Sequence, residues 1–128
     1  MPRWDAYKQE AKGRGGLALE LFVVVSTPAS GPEAVKATLP AHLAYQRKLE
    51  ETGQLVLAGP LSDDSGNEMQ GAGMIIYRAE TMEAAMALAQ ADPMHSAKAR
   101  NFTLRKWLVN EGALNMSVGL STGRVSLS

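Results

Sequence analysis

Residues 40–60 read PAHLAYQRKLEETGQLVLAGP: a helix, a glycine stop and an apolar strand in immediate succession. Pro40 suits the first turn of a helix, where its missing N–H leaves no carbonyl without a partner. At about 100° per residue, His42, Gln46 and Leu49 fall within one narrow stripe, and the charged Arg47, Lys48 and Glu51 take the far side. Gly53 fits the left-handed residue that closes a helix. Leu55-Val56-Leu57-Ala58 then has the length and character of a buried strand. The imidazole of His42 therefore points the same way as the core-facing Leu49.

Toward the N-terminus, residues 17–26 read as a first strand. Leu21-Phe22-Val23-Val24-Val25 is apolar on both faces, as in a central strand. Residues 27–32 are a loop, and 33–38 form a short helical turn. Pro40 separates that turn from the helix after it, because an interior proline breaks the hydrogen-bond ladder. Residues 3–12 carry Trp4, Tyr7 and Ala11 at helical spacing, and Gly13-Arg14-Gly15-Gly16 is a linker. This arm is expected to pack its two aromatic rings on the domain.

Toward the C-terminus, strands over 54–61 and 71–79 flank the polar turn Asp63-Asp64-Ser65-Gly66-Asn67 and read as a hairpin. Thr81 caps a second helix, with Glu83 complementing its dipole. Met82, Ala85, Met86 and Ala89 share a face that packs on the sheet. Asp92-Pro93 ends this helix, and 93–99 hold a further short turn. Residues 101–109 alternate as a fourth strand. Beyond it, Leu114, Met116, Val118 and Leu120 alternate up to a turn at 121–123 and a short strand over 124–127. This tail is expected to form a hairpin, or an arm that crosses to a partner subunit.

The order β-α-β-β-α-β predicts an α+β, ferredoxin-like fold: one antiparallel sheet with both helices on a single face. Residues 1–18 form an N-terminal arm, 19–110 the domain and 111–128 a C-terminal extension. The first strand is apolar on both sides, and Trp107 and Val109 share the alternating set of the fourth. The second sheet face thus calls for a cover, and a homodimer supplies one.

Composition narrows the function classes. Lys+Arg and Asp+Glu are both 13, so the net charge is zero, which argues against nucleic-acid and anionic-membrane binding. The chain has no cysteine, which removes disulfides, thiol catalysis and thiolate metal sites. No stretch has the length of a membrane span or the apolar core of a signal peptide, so a cytoplasmic location is expected.

Pro40-Ala41-His42-Leu43, Gly53, Ala58-Gly59-Pro60, Gly71 and Ala91-Asp92-Pro93 occur in an order and spacing that resembles the YCII-related family. The resemblance runs from about Leu19 to Trp107. It implies a dimeric α/β-barrel fold, in which two ferredoxin-like sheets pack face to face. It also implies an active-site His–Asp pair, His42 and Asp92, in small enzymes that include a dehydrochlorinase of a chlorinated hydroxyquinol. Leu39 departs from the arginine expected before Pro40, and both terminal extensions exceed the family's core length.

A histidine can carry either protonation state near neutral pH, and a carboxylate can orient its ring. His42 and Asp92 are accordingly the candidate catalytic pair. Asp92 before Pro93 also suits an ordinary N-cap with proline at the first helical position. Tyr45, one turn from His42, either donates to a substrate or packs in the core. Tyr45, Leu57 and Met94 are the expected pocket lining. His95 is expected on a surface turn, and a metal set of His42, Asp92 and His95 matches no ligand motif. The reading that follows is a cofactor-independent lyase or isomerase, moving a proton on a small cyclic or carbonyl-bearing molecule. The alternative is a non-catalytic ligand-binding or oligomeric scaffold domain.

Overall fold

The computed structural model describes residues 1–128. Its elements are α1 (Trp4–Gly13), β1 (Leu19–Pro28), α2 (Pro32–Glu51), β2 (Leu55–Ser62), β3 (Met69–Tyr77), α3 (Met82–Ala91), α4 (Pro93–Ser96), β4 (Arg100–Val109), β5 (Met116–Val118) and β6 (Val125–Leu127). Two compact units result, Glu20–Trp107 and the terminal segments Met1–Leu19 with Leu108–Ser128.

In the unit 20–107 the sheet order is β2-β3-β1-β4, and β3 runs antiparallel to both its neighbours. This is the expected ferredoxin-like α+β arrangement. Phe22, Val24, Ile75 and Tyr77 on one sheet face join Leu49 of α2 and Ala85 and Ala89 of α3 in a single buried core. Both long helices therefore lie on the same face. The small Ala85 and Ala89, one turn apart, bring α3 close to the sheet. Thr81 caps it, accepting from the Ala84 N–H at 3.0 Å. Tyr45 packs against the core and donates its hydroxyl to the Leu88 carbonyl at 2.7 Å, fastening α2 to α3.

Two expectations are corrected here. A single helix runs from Pro32 to Glu51 with Pro40 inside it. The proline that opens the helix is Pro32, following Gly31 at φ 88°. Pro40 withdraws a hydrogen bond from the Lys36 carbonyl, a penalty of roughly 3 kcal/mol in a helix interior. Lys36 is exposed, so water reaches that carbonyl, and the packing of Tyr45 and Leu49 holds the helix through the break. The second correction concerns His95, which is buried rather than on a surface turn.

The other sheet face carries the rows Leu57–Ile76–Val23 and Gly59–Met74–Val25 across β2, β3 and β1. None of the helices of this unit lies on it. Leu57 is 58% and Trp107 43% exposed.

Gly71 has a position-specific role. Its φ is +89°, and a Cβ there would sit 2.6 Å from the Pro28 ring. Gly71→Ala is expected to lower stability by at least about 2 kcal/mol, from left-handed strain plus the clash. A urea midpoint unchanged from wild type would contradict it.

In the terminal unit, Arg14 hydrogen-bonds the Tyr7 hydroxyl at 3.0 Å and stacks 5.4 Å from its ring centre. The tail forms the expected hairpin, with Met116 opposite Leu127 and Val118 opposite Val125. No helix of the protein is long and apolar enough to cross a membrane.

Candidate functional site

Asp92 stands at the junction of α3 and α4. Its extended backbone, φ −60° and ψ 125°, breaks the helical run ahead of Pro93. Its carboxylate caps α4, with Oδ1 accepting from the Met94 N–H at 2.9 Å. The residue is fully buried, so a single cap bond would leave most of its oxygen lone pairs unmet. His42 supplies a second donor: Nδ1 lies 2.8 Å from Oδ1 and 2.9 Å from Oδ2. His42 sits in the body of α2 rather than near its start, because that helix begins at Pro32. The pair meets because α2 and α4 pack against each other.

The carboxylate is an acceptor, so Nδ1 carries the hydrogen and donates it. Nε2 has no partner within the protein. The His42 side chain is 15% exposed and lines a cleft of about 490 Å³. The cleft exists because Ala58 and Gly73, on the helix-facing side of β2 and β3, leave the space between sheet and helix unfilled. Val35, Leu39, Leu43 and Met94 make its walls largely apolar.

The floor is polar. Ser26 follows Phe22 and Val24 on the helix-facing side of β1, opposite Gly73. Its hydroxyl lies 2.8 Å from His95 Nε2 and accepts from Arg100 Nε at 2.8 Å. His95 Nδ1 donates to the Ala89 carbonyl at 2.7 Å, which fixes Nε2 as the acceptor of the Ser26 proton. Arg100 Nη2 donates to the Ser26 carbonyl at 2.8 Å and also to the Gly71 carbonyl. Both nitrogens of His95 are thus committed, and it does not complete a metal-ligand set with His42 and Asp92. Gln46, one turn beyond His42, lines the same cleft with a buried Oε1 that has no partner.

Burial lowers the His95 pKa, outweighing the Ala89 hydrogen bond and the charge of Asp92. Below about pH 6.5 the unfolded chain takes up a proton at this position that the folded ring resists. The stability His95 contributes is therefore complete above that pH and declines as the pH falls through it. The melting temperature is expected to drop between pH 7.5 and 5.5, and to drop less in His95→Asn. An equal drop in both proteins would contradict it. Burial, and next the charge of Asp92, raise the Tyr45 pKa, which keeps that hydroxyl a donor.

Of the residues anticipated from sequence, His42, Asp92 and Met94 come together here, His42 and Met94 lining the cleft. Tyr45 and Leu57 are absent from its lining, which corrects that expectation. Tyr45 spends its hydroxyl on Leu88. Leu57 faces away because of a β-bulge: Leu55 pairs with Tyr77 but Leu57 with the adjacent Ile76, so the extra Val56 turns Leu57 to the opposite face. Ser26, Gln46 and Arg100 were not anticipated. A lone polar residue in the inward register of an apolar strand is the signal that singles out Ser26. Arg100 gives no such signal, lying just ahead of the expected fourth strand.

The model of the YCII-related domain family matches residues 20–107. Protein YciI of Escherichia coli O6:H1 and Protein YciI of Shigella flexneri are each 40% identical over 62 residues, covering 45% of this chain. The chain spans 63% of the length of these curated relatives. A 5-chloro-2-hydroxyhydroquinone dehydrochlorinase from Burkholderia phenoliruptrix AC1100, solved with 2,5-dihydroxybenzoquinone, superposes with a TM-score of 0.55 at 22% identity. That likeness covers 68% of this chain and 92% of the other and shows a shared fold.

Proposed function

The chain belongs to the YCII-related domain family, and from that premise we propose that it is a small enzyme of lyase or isomerase type. It moves a proton on a small cyclic or carbonyl-bearing molecule. One observation carries the reading: the buried Asp92 engages Nδ1 of His42, leaving Nε2 without a partner on a residue that lines a largely apolar cleft. Nε2 then acts as the base that takes a proton from the ring substrate and as the acid that returns it. Asp92 holds the imidazole in one tautomer and stabilises the cation formed when Nε2 is protonated. Val35, Leu39, Leu43 and Met94 give the substrate ring an apolar bed and keep the transfer out of bulk water.

The test is a panel of hydroxylated and carbonyl-bearing rings, beginning with 5-chloro-2-hydroxyhydroquinone, the substrate in the name of the structural neighbour. Chloride release and exchange of ring protons with solvent deuterium are the readouts. Turnover by the wild type that persists undiminished in His42→Ala would overturn the proposal. The same reading makes the working unit a homodimer, joined through the sheet face turned away from α2 and α3.

A further inference from the structure

Arg100 takes no part in the proton transfer just proposed, yet it lines the same cleft as His42. Three of its contacts fix the guanidinium: Nε on the Ser26 hydroxyl, and Nη2 on the carbonyls of Ser26 and Gly71. Gly71 is placed for this contact by a left-handed backbone. Nη1 is left with no partner in the protein, and no carboxylate forms an ion pair with Arg100. Around it, the Ser26 hydroxyl donates to His95 and His95 donates to Ala89, so neither offers a spare proton to a ligand. The free donor on this wall is Nη1 alone.

That arrangement selects its ligand. A carboxylate is recognised by two parallel N–H groups on one edge of the guanidinium. Both such edges include Nη2, and Nη2 is already held by two carbonyls. Nη1 alone suits a single charged oxygen approaching end-on. We infer that Arg100 is a substrate-binding residue that holds one ionised ring oxygen, a phenolate or enolate. The inference rests on the cleft being the substrate site and names the class it takes: acidic hydroxylated rings, bound as the anion.

The probe is 4-nitrophenol, whose visible band reports its ionised fraction. At the pH where the free dye is half ionised, the wild-type protein is expected to increase the phenolate band on binding. It should hold the dye about tenfold more tightly than the neutral methyl ether 4-nitroanisole or than benzoate, the difference one charge-assisted hydrogen bond makes. Arg100→Gln should remove both the band increase and the tenfold preference, and Arg100→Lys should restore part of each. Melting curves identify the folded variants. Because Arg100 also ties β1 to β3, the wild-type comparison of the three ligands stands as a test needing no variant. A bound dye that is protonated, benzoate bound as tightly as the phenolate, no dye binding at all, or an Arg100→Gln protein that keeps the preference would each overturn the inference. The readout involves no turnover, so a failure of proton transfer at His42 leaves it unchanged, and its own failure leaves His42 untouched.

Discussion

The His42→Ala protein is expected to lose about 10²–10⁴-fold in turnover, the usual contribution of a positioned acid–base group, while remaining folded. The fold survives at reduced stability: Leu49, Ala85 and the sheet residues pack without His42, and the buried Asp92 keeps the Met94 N–H while losing its second donor. Asp92 separates two effects. Asp92→Asn keeps an oxygen for the Met94 N–H, so the α4 cap persists. Its amide N–H faces His42 Nδ1, however, and turns that nitrogen into an acceptor. The ring hydrogen then moves to Nε2, and the base is lost with the structure intact. Turnover should fall by a factor comparable to that of His42→Ala, with a melting temperature within a few degrees of wild type. Asp92→Ala removes cap and partner together from a fully buried position, and about 3 kcal/mol or more of stability should go with them. Steady-state kinetics and urea denaturation on the three variants check these outcomes. Full turnover in Asp92→Asn would show that ring orientation plays no part.

The contrast between these residues and the rest of the cleft marks how far the sequence could be read. The β-α-β-β-α-β order follows from periodicity and from turn residues such as Asp63 and Gly66, which act locally. His42 and Asp92 were legible because each sits beside a local signal, the apolar stripe of α2 and the Asp-Pro stop after α3. Their meeting across 50 residues is a property of packing. Pro40 misled because propensity weighs one hydrogen bond, whereas the tertiary contacts of Tyr45 and Leu49 hold the whole helix. Leu57 misled because strict alternation has no place for the bulge at Val56, and one inserted residue reverses every side chain beyond it. His95 lay hidden for a related reason. A polar ring in a short turn reads as solvated until the Ser26 hydroxyl and the Ala89 carbonyl are found on either side of it.

The protein is expected to run as a dimer, and Leu57→Glu to convert it to monomers without unfolding it. The rows Leu57–Ile76–Val23 and Gly59–Met74–Val25, with Trp107 on β4, make one sheet face apolar. Ile76 is already buried there, but Leu57 and Trp107 stand exposed on the face; exposed large apolar side chains of this kind mark an interaction site, and a twofold pairing of identical faces satisfies them with no other partner. A stable interface removes about 1,000 Å² or more in total from water. Leu57 is the discriminating position because it is 58% exposed in the single chain. A glutamate there meets water if the chain is a monomer, and surface changes of that sort move stability by no more than about 0.5 kcal/mol. Across a twofold sheet contact the same carboxylate is buried without a partner, and truncation or mismatch of that kind costs several kcal/mol. Light scattering at micromolar concentration should give twice the chain mass of 13.7 kDa for wild type and the single-chain mass for Leu57→Glu. Circular dichroism should show the same secondary structure in both. A wild-type protein that scatters as a monomer would leave the apolar face without its second copy, and Leu57→Glu would then change nothing.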